Sequence, residues 1–345
     1  MSGGQRSRMG RRPLAVGAAL VLALGAGISG CGSPKTPTPE APLTTPSASP
    51  SATETEITQA GATKITVHGD WLSAGEGGVW LSDDDAIHRL DPATGKPGAK
   101  IPVAQGPCEA SDVGLGSLWT ATCTKPGLAR IDPKTNRVAT HVKLAIPLVQ
   151  EGEASIGVGA DSVWLVVNGA NCDACRVARV EPKHLRVTAT IPVSEGAAAV
   201  RFGDGFVWVT NPDKDLVEQI DPKSQRVVAK FEVGPRPRFF AVGEGAVWAL
   251  AQGDGSVTRI DPKTGKTTSI ATEFVGDGGD MTAGGGWVWI RGSGPLLARL
   301  DASTNKIVEK YGPESGSGAA IVGYGAVWIS AHDIDTVWRL PIPAH

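Results

Sequence analysis

The sequence predicts an all-β fold: a seven-bladed β-propeller of four-stranded antiparallel blades, closed by an N-terminal strand in the last blade. Two observations carry this prediction. Seven tryptophans recur 39 to 45 residues apart, each with a glycine five residues before it, and a segment typified by Arg-Ile-Asp-Pro follows each of them. The tryptophans are Trp80, Trp119, Trp164, Trp208, Trp248, Trp289 and Trp328. Agreement at several positions in all seven units is specific, because the same spacing of residues would not recur seven times by chance.

The fifth unit shows how about 40 residues form one blade. Four segments have the composition of strands, at residues 240–242, 246–250, 256–260 and 266–271. Glycine-rich turns separate the first three strands, and an Asp-Pro turn precedes the fourth. Four short antiparallel strands in a unit of this length are typical of a propeller blade.

The two ends of the repeat region predict how the ring closes. The seventh unit ends after its third strand, at residues 336–340, whereas residues 63–67 resemble the fourth strand of other units. Pairing these segments in one blade removes exposed sheet edges.

The repeated tryptophans are expected to pack between adjacent blades, where a large flat ring buries much apolar area. The alternative is that they form a surface on which a ligand stacks. A role filled seven times over favours the structural interpretation.

Charge and composition limit the possible partners. A net charge of -2 with mixed signs gives no concentrated basic face, so nucleic acid is not an expected partner. The 45 glycines and 25 prolines suit short strands joined by turns. The chain is expected to be a monomer.

Residues 1–30 are predicted to be a lipoprotein signal peptide. Arg6, Arg8, Arg11 and Arg12 precede an apolar stretch, residues 14–28, that is short for a membrane span. The stretch ends in Ile-Ser-Gly before Cys31, which resembles a bacterial lipobox, and that resemblance implies acylation of Cys31. An ordinary secretory signal with an incidental cysteine is the alternative. The paired arginines leave open whether export uses the Sec or the twin-arginine route.

Residues 31–56 are interpreted as the lipidated cysteine plus a disordered linker, and residues 57–345 as the propeller. The linker is rich in Pro, Ser and Thr and has too little apolar surface to fold. At about 3 Å per residue it spans on the order of 75 Å. It is either a tether to the extracytoplasmic side of the cell membrane or a tail that only aids solubility.

The repeats G-x-G-x-V-W and R-I-D-P-x-T-G/N-K/R, over about residues 63–341, resemble those of YVTN-type and virginiamycin B lyase-like propellers. The resemblance implies the fold, but this group holds binding proteins and enzymes alike. Its lyases use a catalytic histidine near acidic metal ligands. Only His68 and His332 are expected near the functional face here, and neither lies in an H-x-E setting.

Four cysteines lie in the propeller. A hairpin centred between Leu115 and Gly116 places Cys108 opposite Cys123, so a disulfide is expected. Cys172 and Cys175 are expected to staple a loop of the third unit. A redox pair at Cys172 and Cys175 and a zinc site of all four cysteines are the alternatives.

Ligands are expected at the central mouth, on the face shared by the loops that enter the first strand and leave the second strand of each blade. Nine polar residues that vary between blades are candidates: Asp70, Glu109, Asp112, Glu153, Arg201, Arg238, Asp280, Arg291 and His332. The alternative is that they only fill solvated loops. No cofactor is assigned, although converging acids leave a divalent cation at the mouth open.

Two functions from different classes follow. The first is a non-catalytic binding or scaffold protein of the cell envelope, with a wall glycan, a peptide or another envelope protein as ligand. The second is a metal-assisted lyase or hydrolase acting outside the membrane. No nucleophile elbow, Walker loop or H-E-x-x-H motif is present, and no catalytic or metal-binding residue is assigned.

Overall fold

The computed structural model describes residues 54–122, 124–144, 155–168, 175–272, 274, 279–292 and 294–345. Within these residues the chain forms seven sheets, arranged as seven blades, from 29 strands and a single 3-10 helix, His332–Ile334. The predicted seven-bladed propeller of antiparallel blades is therefore confirmed.

Two strands precede the first blade: β1 (Glu54–Glu56) and β2 (Thr63–Thr66). Blade one contains β3 (Leu72–Gly75), β4 (Gly78–Ser82), β5 (Ala86–Leu90) and β6 (Pro97–Pro102). Blade two contains β7 (Pro107–Gly114), β8 (Ser117–Thr122), β9 (Gly127–Asp132) and β10 (Arg137–Lys143). Blade three contains β11 (Ile156–Gly159), β12 (Ser162–Asn168), β13 (Cys175–Glu181) and β14 (Arg186–Pro192).

Blade four contains β15 (Val200–Gly203), β16 (Phe206–Asn211), β17 (Leu216–Asp221) and β18 (Arg226–Glu232). Blade five contains β19 (Pro237–Gly243), β20 (Ala246–Ala251), β21 (Val257–Ile260) and β22 (Thr267–Ile270). Blade six contains β23 (Asp280–Gly284), β24 (Trp287–Arg291), β25 (Leu297–Asp301) and β26 (Lys306–Gly312). Blade seven contains β27 (Ala320–Gly323), β28 (Ala326–Ala331) and β29 (Thr336–Pro341).

The first strands of the blades surround the axis. Each of them contacts the first strand of the next blade, and β27 of blade seven contacts β3 of blade one. The second strands are almost wholly buried, whereas the outer strands such as β18 alternate exposed and covered side chains. The apolar core therefore lies between the blades, and the loops at the axis define the mouth.

The ring closes as the sequence predicts, and blade six gains a strand that was not predicted. β2 pairs antiparallel with β29, with Ile65 opposite Val337. β1 pairs parallel with the outer strand β26, so the sheet of blade six has five strands. These residues, 54–56, were assigned to the linker from their composition. Ile57, which follows them, is fully buried.

The seven repeated tryptophans pack between blades, and each is 0% exposed. Trp80 of blade one shares a buried cluster with Leu118 and Ile131 of blade two. Trp328 of blade seven shares a buried cluster with Leu90 of blade one, so the same packing is present where the ring closes. In six of the seven blades the indole N–H donates to the carbonyl of the glycine five residues earlier. The structural interpretation of these tryptophans is confirmed.

The repeated arginine links its own blade to the next one. The Arg89 guanidinium lies 5.2 Å from the centre of the Trp80 ring, a cation–π arrangement. Its Nη1 donates to the Pro133 carbonyl in the Asp-Pro turn of blade two, at 2.9 Å. Blade four has Gln219 at this position, and there Phe231 packs against Trp208. The Arg-Ile-Asp-Pro motif is therefore an inter-blade contact as well as a turn.

Glycine is required at the two repeated positions for different physical reasons. Gly245, three residues before its tryptophan, lies in the hairpin turn with φ +71°, a conformation that favours glycine. Gly114, five residues before its tryptophan, lies against the next blade, where a Cβ would be 2.8 Å from Val158 Cγ1. Close approach of the inner strands thus requires the absence of a side chain at Gly114.

The register around Cys108 differs from the prediction. Pairing follows the expected hairpin from Gly114 opposite Ser117 to Ser111 opposite Thr120, then shifts before Pro107, which lies opposite Thr122. Cys108 is buried. Cys123 and Cys172 lie outside the described residues, so the pairings of Cys108 with Cys123 and of Cys172 with Cys175 stay predictions, as does the zinc alternative.

Replacing Ile65 tests the closing strand. Ile65 is 7% exposed, and Ile65→Ala is expected to lower the free energy of unfolding by about 2–3 kcal/mol, because it removes buried methylene groups at the closure. Lys64→Ala changes an exposed neighbour on the same strand and is expected to stay within about 0.5 kcal/mol. Urea unfolding of both variants measures this. Equal effects would contradict a closing role for β2.

Candidate functional site at the central mouth

Six of the nine predicted ligand residues meet around the axis, each delivered by a different inner loop or strand. Asp70 precedes β3, Asp112 lies in β7 and Arg201 in β15. Asp280 begins β23, Arg291 ends β24, and His332 begins the 3-10 helix after β28. Arg201 is close enough to Asp112 and Asp280 for its charge to lower the pKa of both carboxyl groups. The charges of Asp70 and Asp280 likewise act to raise the pKa of Arg291.

Large aromatic side chains fill the channel at the mouth. Trp71 of blade one and Phe239 of blade five lie with their ring centres 6.4 Å apart, and both are buried. The Arg201 guanidinium of blade four lies 5.5 Å from the centre of the Trp71 ring. The Trp71 indole N–H donates to the Ser111 carbonyl at 3.1 Å. Residues from four blades therefore interlock over the axis.

Trp71 was not among the predicted site residues, although the repeat alignment contains its signal. The position nine residues before the marker tryptophan is buried in all seven blades. Its occupants are Trp71, Ala110, Ser155, Ala199, Phe239, Asp280 and Ala319. Four small residues leave room for two aromatic rings and one carboxylate, so a size pattern at one repeat position predicts a filled axis.

A buried ion network joins the blades around the paired rings of Trp71 and Phe239. Arg201 Nη2 lies 3.3 Å from Asp280 Oδ1, and Arg201 Nε donates to the Phe240 carbonyl at 2.8 Å. Asp280 Oδ2 accepts the backbone N–H of Ala320 at 3.1 Å. Blades four, five, six and seven are thereby connected through one arginine and one carboxylate.

Asp112 connects blades two and three in the same manner. Its Oδ1 accepts the backbone N–H of Val113, and its Oδ2 accepts that of Val158, both at 2.8 Å. The charge of Arg201 also favours its ionised form. Because both oxygens already accept backbone donors, this carboxylate orders the mouth rather than facing outward.

Burial shifts the pKa values of these groups. Desolvation raises the pKa of Asp112 to about 6, against the lowering effect of backbone hydrogen bonds and Arg201. Desolvation likewise raises the pKa of Asp280 to about 6, and Arg201 again opposes it. The pKa of Arg291 falls to about 10 because of its burial. Arg201 is therefore the cation that keeps two buried acids ionised near neutral pH.

Arg291 is fully buried, and its contacts lie within the chain. Its Nε donates to the Ser330 carbonyl at 3.0 Å, and its Nη2 donates to Ser315 Oγ at 3.1 Å and to the Gly316 carbonyl. Among the described residues its Nη1 has no hydrogen-bond partner. Arg291 therefore holds the loop between β26 and β27 in place.

A cavity of about 500 Å³, here called the seam cavity, opens where blade seven meets blade one. It is lined by His68, Gly69, Asp70, Ser82, Asp83, Asp84, Ser317 and His332. It thus combines three aspartates with both histidines expected near the functional face.

The two histidines of the seam cavity each face a carboxylate. His332 Nδ1 lies 3.4 Å from Asp70 Oδ2, and His68 Nδ1 lies 2.6 Å from Asp335 Oδ1. The hydrogen bond with Asp335 raises the pKa of His68. Burial raises the pKa of Asp70, and the nearby charges of His332 and Arg291 oppose this.

Asp83 differs from the other two aspartates of the cavity because internal donors surround it. Its Oδ1 accepts the backbone N–H groups of Asp85 and Ala86, and its Oδ2 contacts His88 at 2.6 Å and Lys100 at 3.2 Å. The side chain of Asp83 therefore orders the loop between β4 and β5.

The remaining three candidates are Arg238, Glu109 and Glu153. Arg238 stacks over Phe239, with its guanidinium 5.5 Å from the ring centre. The side chain of Glu109, the whole of Glu153 and the predicted lipid site Cys31 fall outside the described residues. In the described part of the chain, no group of three or more His, Cys, Asp or Glu side chains is arranged to hold a metal ion. The same part contains no helix that is both long and apolar enough to cross a bilayer.

The fold and the filled, polar mouth define a seven-bladed propeller with a closed axis, and solved structures are similar to it in fold. A virginiamycin B lyase from Staphylococcus aureus is 16% identical with a TM-score of 0.64, covering 82% of this chain and 99% of that chain. A hydrazine synthase from Kuenenia stuttgartiensis is 15% identical with a TM-score of 0.64, covering 82% and 98%. BamB from Moraxella catarrhalis is 12% identical with a TM-score of 0.55, covering 80% and 85%.

At these identities the likeness concerns the fold alone, and it supports the predicted propeller repeat. No protein-family model matches the chain. No curated protein matches it in sequence.

Removing Arg201 tests the buried ion network through pH. In Arg201→Met, Asp112 and Asp280 lose their shared cation, and a loss of about 3 kcal/mol in the free energy of unfolding is expected at pH 7.5. Acids whose folded-state pKa lies above the unfolded value bind more protons when folded, so their unfavourable contribution fades as pH falls through about 6. The loss is therefore expected to shrink at pH 5, as measured by urea unfolding.

Arg130→Met is the matched control for this measurement. Arg130 stacks on Trp119 and donates to Ser117 Oγ, without a buried acid of raised pKa beside it. Its cost is expected to be the same at pH 7.5 and pH 5. A pH-independent loss in Arg201→Met as well would contradict the role assigned to Arg201.

Proposed function

We propose that this protein is a non-catalytic binding or scaffold propeller, held on the extracytoplasmic side of the cell membrane through a lipid on Cys31. The proposal rests on the fact that the mouth is filled and its buried carboxylates are already hydrogen-bonded. Its axis is filled by Trp71 and Phe239, and the carboxylates of Asp112 and Asp280 are engaged by internal donors.

Such a mouth favours recognition by a preformed surface. A ligand that meets side chains already fixed by hydrogen bonds does not have to order them, which reduces the entropic cost of binding. The groups at the mouth belong to different blades: Arg201, Asp112, Asp280, Trp71 and Phe239. The shape of this face therefore depends on the whole ring. The seam cavity is a concave feature of this face, and its size falls within the range of small-ligand pockets.

The tether rests on the N-terminal sequence. The signal-like residues 1–30, the lipobox-like Ile-Ser-Gly-Cys and the Pro-rich linker together fit a lipid-anchored envelope protein. β1, the last three residues of the predicted linker, and the buried Ile57 attach the chain to blade six. A folded domain fastened at that point suits a tethered binder.

Replacing the anchor residue tests the location. In the native host, the full-length chain is expected to partition with membranes and detergent, because an acyl chain supplies about 0.8 kcal/mol per buried CH₂. Cys31→Ser is expected to move the protein to the aqueous phase, as followed by Triton X-114 partitioning and palmitate labelling. Ser33→Ala, two residues further on, is the control and is expected to stay with the membranes. A membrane-bound, unlabelled wild type would contradict the anchor.

Charge reversal on the mouth face tests binding. The full-length chain is expected to retain a component of a detergent-solubilised envelope extract, and Asp84→Lys is expected to reduce that retention at least tenfold, because it reverses an exposed charge of the seam cavity. Asp213→Lys makes the same change in the corresponding exposed loop of blade four and is expected to retain the component fully. Retention that is absent, or equal in both variants, would contradict a binding role for this part of the face.

A further inference from the structure

The rim on the side opposite the mouth carries a surface of its own: we propose that it docks on an anionic lipid bilayer. This surface consists of the turns between the third and fourth strands of blades two to five, here called the turn arc. The proposal rests on the proposed lipid anchor, and it specifies which side of the propeller then faces the membrane.

The turn arc is rich in exposed basic side chains. Each of its four turns begins with an acid, followed by a lysine two residues later and an arginine or lysine five residues later. The basic residues are Lys134, Arg137, Lys183, Arg186, Lys223, Arg226, Lys263 and Lys266, and all eight are exposed. None of the eight forms an ion pair within the described part of the chain. Their charges are therefore available to a partner.

The acids of the same turns are held by the turns themselves. Asp132 Oδ1 accepts the backbone N–H of Lys134, and Asp261 Oδ1 accepts that of Lys263, both at 2.8 Å. The acids of all four turns are partly buried, whereas the basic side chains are exposed. Each turn thus presents two exposed cations for one bound carboxylate, which leaves an excess of positive charge at the rim.

The turn does not need a lysine in order to form. Blade one has Ala93 and blade six has Ser303 at the corresponding position. Both residues still donate their backbone N–H to the acid two residues earlier, Asp91 and Asp301. The restriction of this lysine to four consecutive blades is therefore a property of the surface and not a requirement of the fold.

The mouth face has the opposite charge. In its described loops the exposed acids are Asp84, Asp85, Glu195, Asp213, Asp215, Asp254, Glu314, Asp333 and Asp335. The exposed basic residues of the same loops are Lys125, Lys214 and Arg236. The net charge of -2 therefore conceals a separation of charge between the two faces. A negative surface attracts the turn arc and repels the mouth face, which orients the propeller with its mouth away from that surface.

Acids near the axis limit the contact to the rim. The turns between the first and second strands lie on the same side as the turn arc but closer to the axis, and they carry the exposed residues Glu76, Asp161, Asp204 and Glu244. A flat contact would bring these carboxylates against lipid phosphates. The propeller is therefore expected to dock tilted, on the rim of blades two to five.

The direction of β1 agrees with this orientation. β26 begins at Lys306, beside the turn of blade six, and ends at Gly312 toward the mouth face, and β1 runs parallel to it. The N-terminal end of β1 is therefore directed toward the side that carries the turn arc. Blade six is also next to blade five, where the arc ends. This arrangement suits an anchor in the membrane that the turn arc contacts.

Lysine acetylation of the full-length chain isolated from the native host tests the docking. The chain is added to vesicles of phosphatidylcholine alone or with 30% phosphatidylglycerol, and mass spectrometry measures the acetylation rate of each lysine. The five lysines of the turn arc are expected to react at least threefold more slowly on the anionic vesicles, because lipid headgroups cover them. This protection is expected to disappear in 1 M NaCl, where the Debye length is about 3 Å. Lys125 and Lys214 of the mouth face are the internal controls and should react equally on both vesicles.

A paired variant tests the role of charge. Lys183→Gln together with Lys223→Gln removes two charges from the middle of the turn arc, and the protection of the remaining arc lysines is expected to fall at least twofold. Lys125→Gln together with Lys214→Gln removes the same charge from the mouth face and is expected to leave that protection unchanged. All four positions are exposed, so both variants should keep the fold.

The outcomes separate the docking from the anchor. A chain that stays on both kinds of vesicle with equally reactive arc lysines would overturn the docking and leave the anchor intact. A chain that phosphatidylcholine vesicles do not retain would contradict the anchor, and the reactivity of the arc lysines beside anionic vesicles would still decide the docking. If soluble polyglutamate at the same charge concentration protected the arc as strongly as the anionic vesicles, an acidic polymer would replace the bilayer as the partner.

Discussion

The contact on which the rest of the structure depends is the packing of each repeated tryptophan against the next blade. The ring is fully buried, its N–H donates in six blades to the carbonyl of the glycine that ends the first strand, and in most blades an arginine covers one face. A blade of four short strands cannot bury its apolar face alone, so stability comes from neighbours around the closed ring. The described loops at the axis take their positions from these contacts between blades.

Much of the fold could be predicted because its determinants repeat. A tryptophan with a glycine five residues before it and a segment typified by Arg-Ile-Asp-Pro after it indicates one local structure seven times, and the closure follows from the missing fourth strand of the last unit. β1 could not be predicted in the same way, because it occurs once and its composition matches that of the linker. The register shift in β7 is likewise a single irregularity, and a hairpin extrapolated from its turn does not contain it.

The mouth could be located from the sequence, but the roles within it could not. Charge and position identified Asp70, Asp112, Arg201, Asp280 and His332 as neighbours. The sequence does not reveal that Arg291 is buried, since arginine is seldom fully covered and only a fold that supplies three internal acceptors makes this possible. Trp71 was not predicted as a site residue because it lies outside the marker positions of the repeat. The sizes of the residues nine positions before each marker tryptophan nevertheless indicate a filled axis.

The strand β1 has a mechanical consequence. Any pull on the chain from its N-terminal side reaches β1 and Ile57 on blade six before it reaches β2, which closes the ring in blade seven. The pairing of β1 with β26 and the burial of Ile57 therefore lie between such a load and β2. A pull from that side would therefore have to separate β1 and Ile57 from blade six before it loaded the strand that closes the ring.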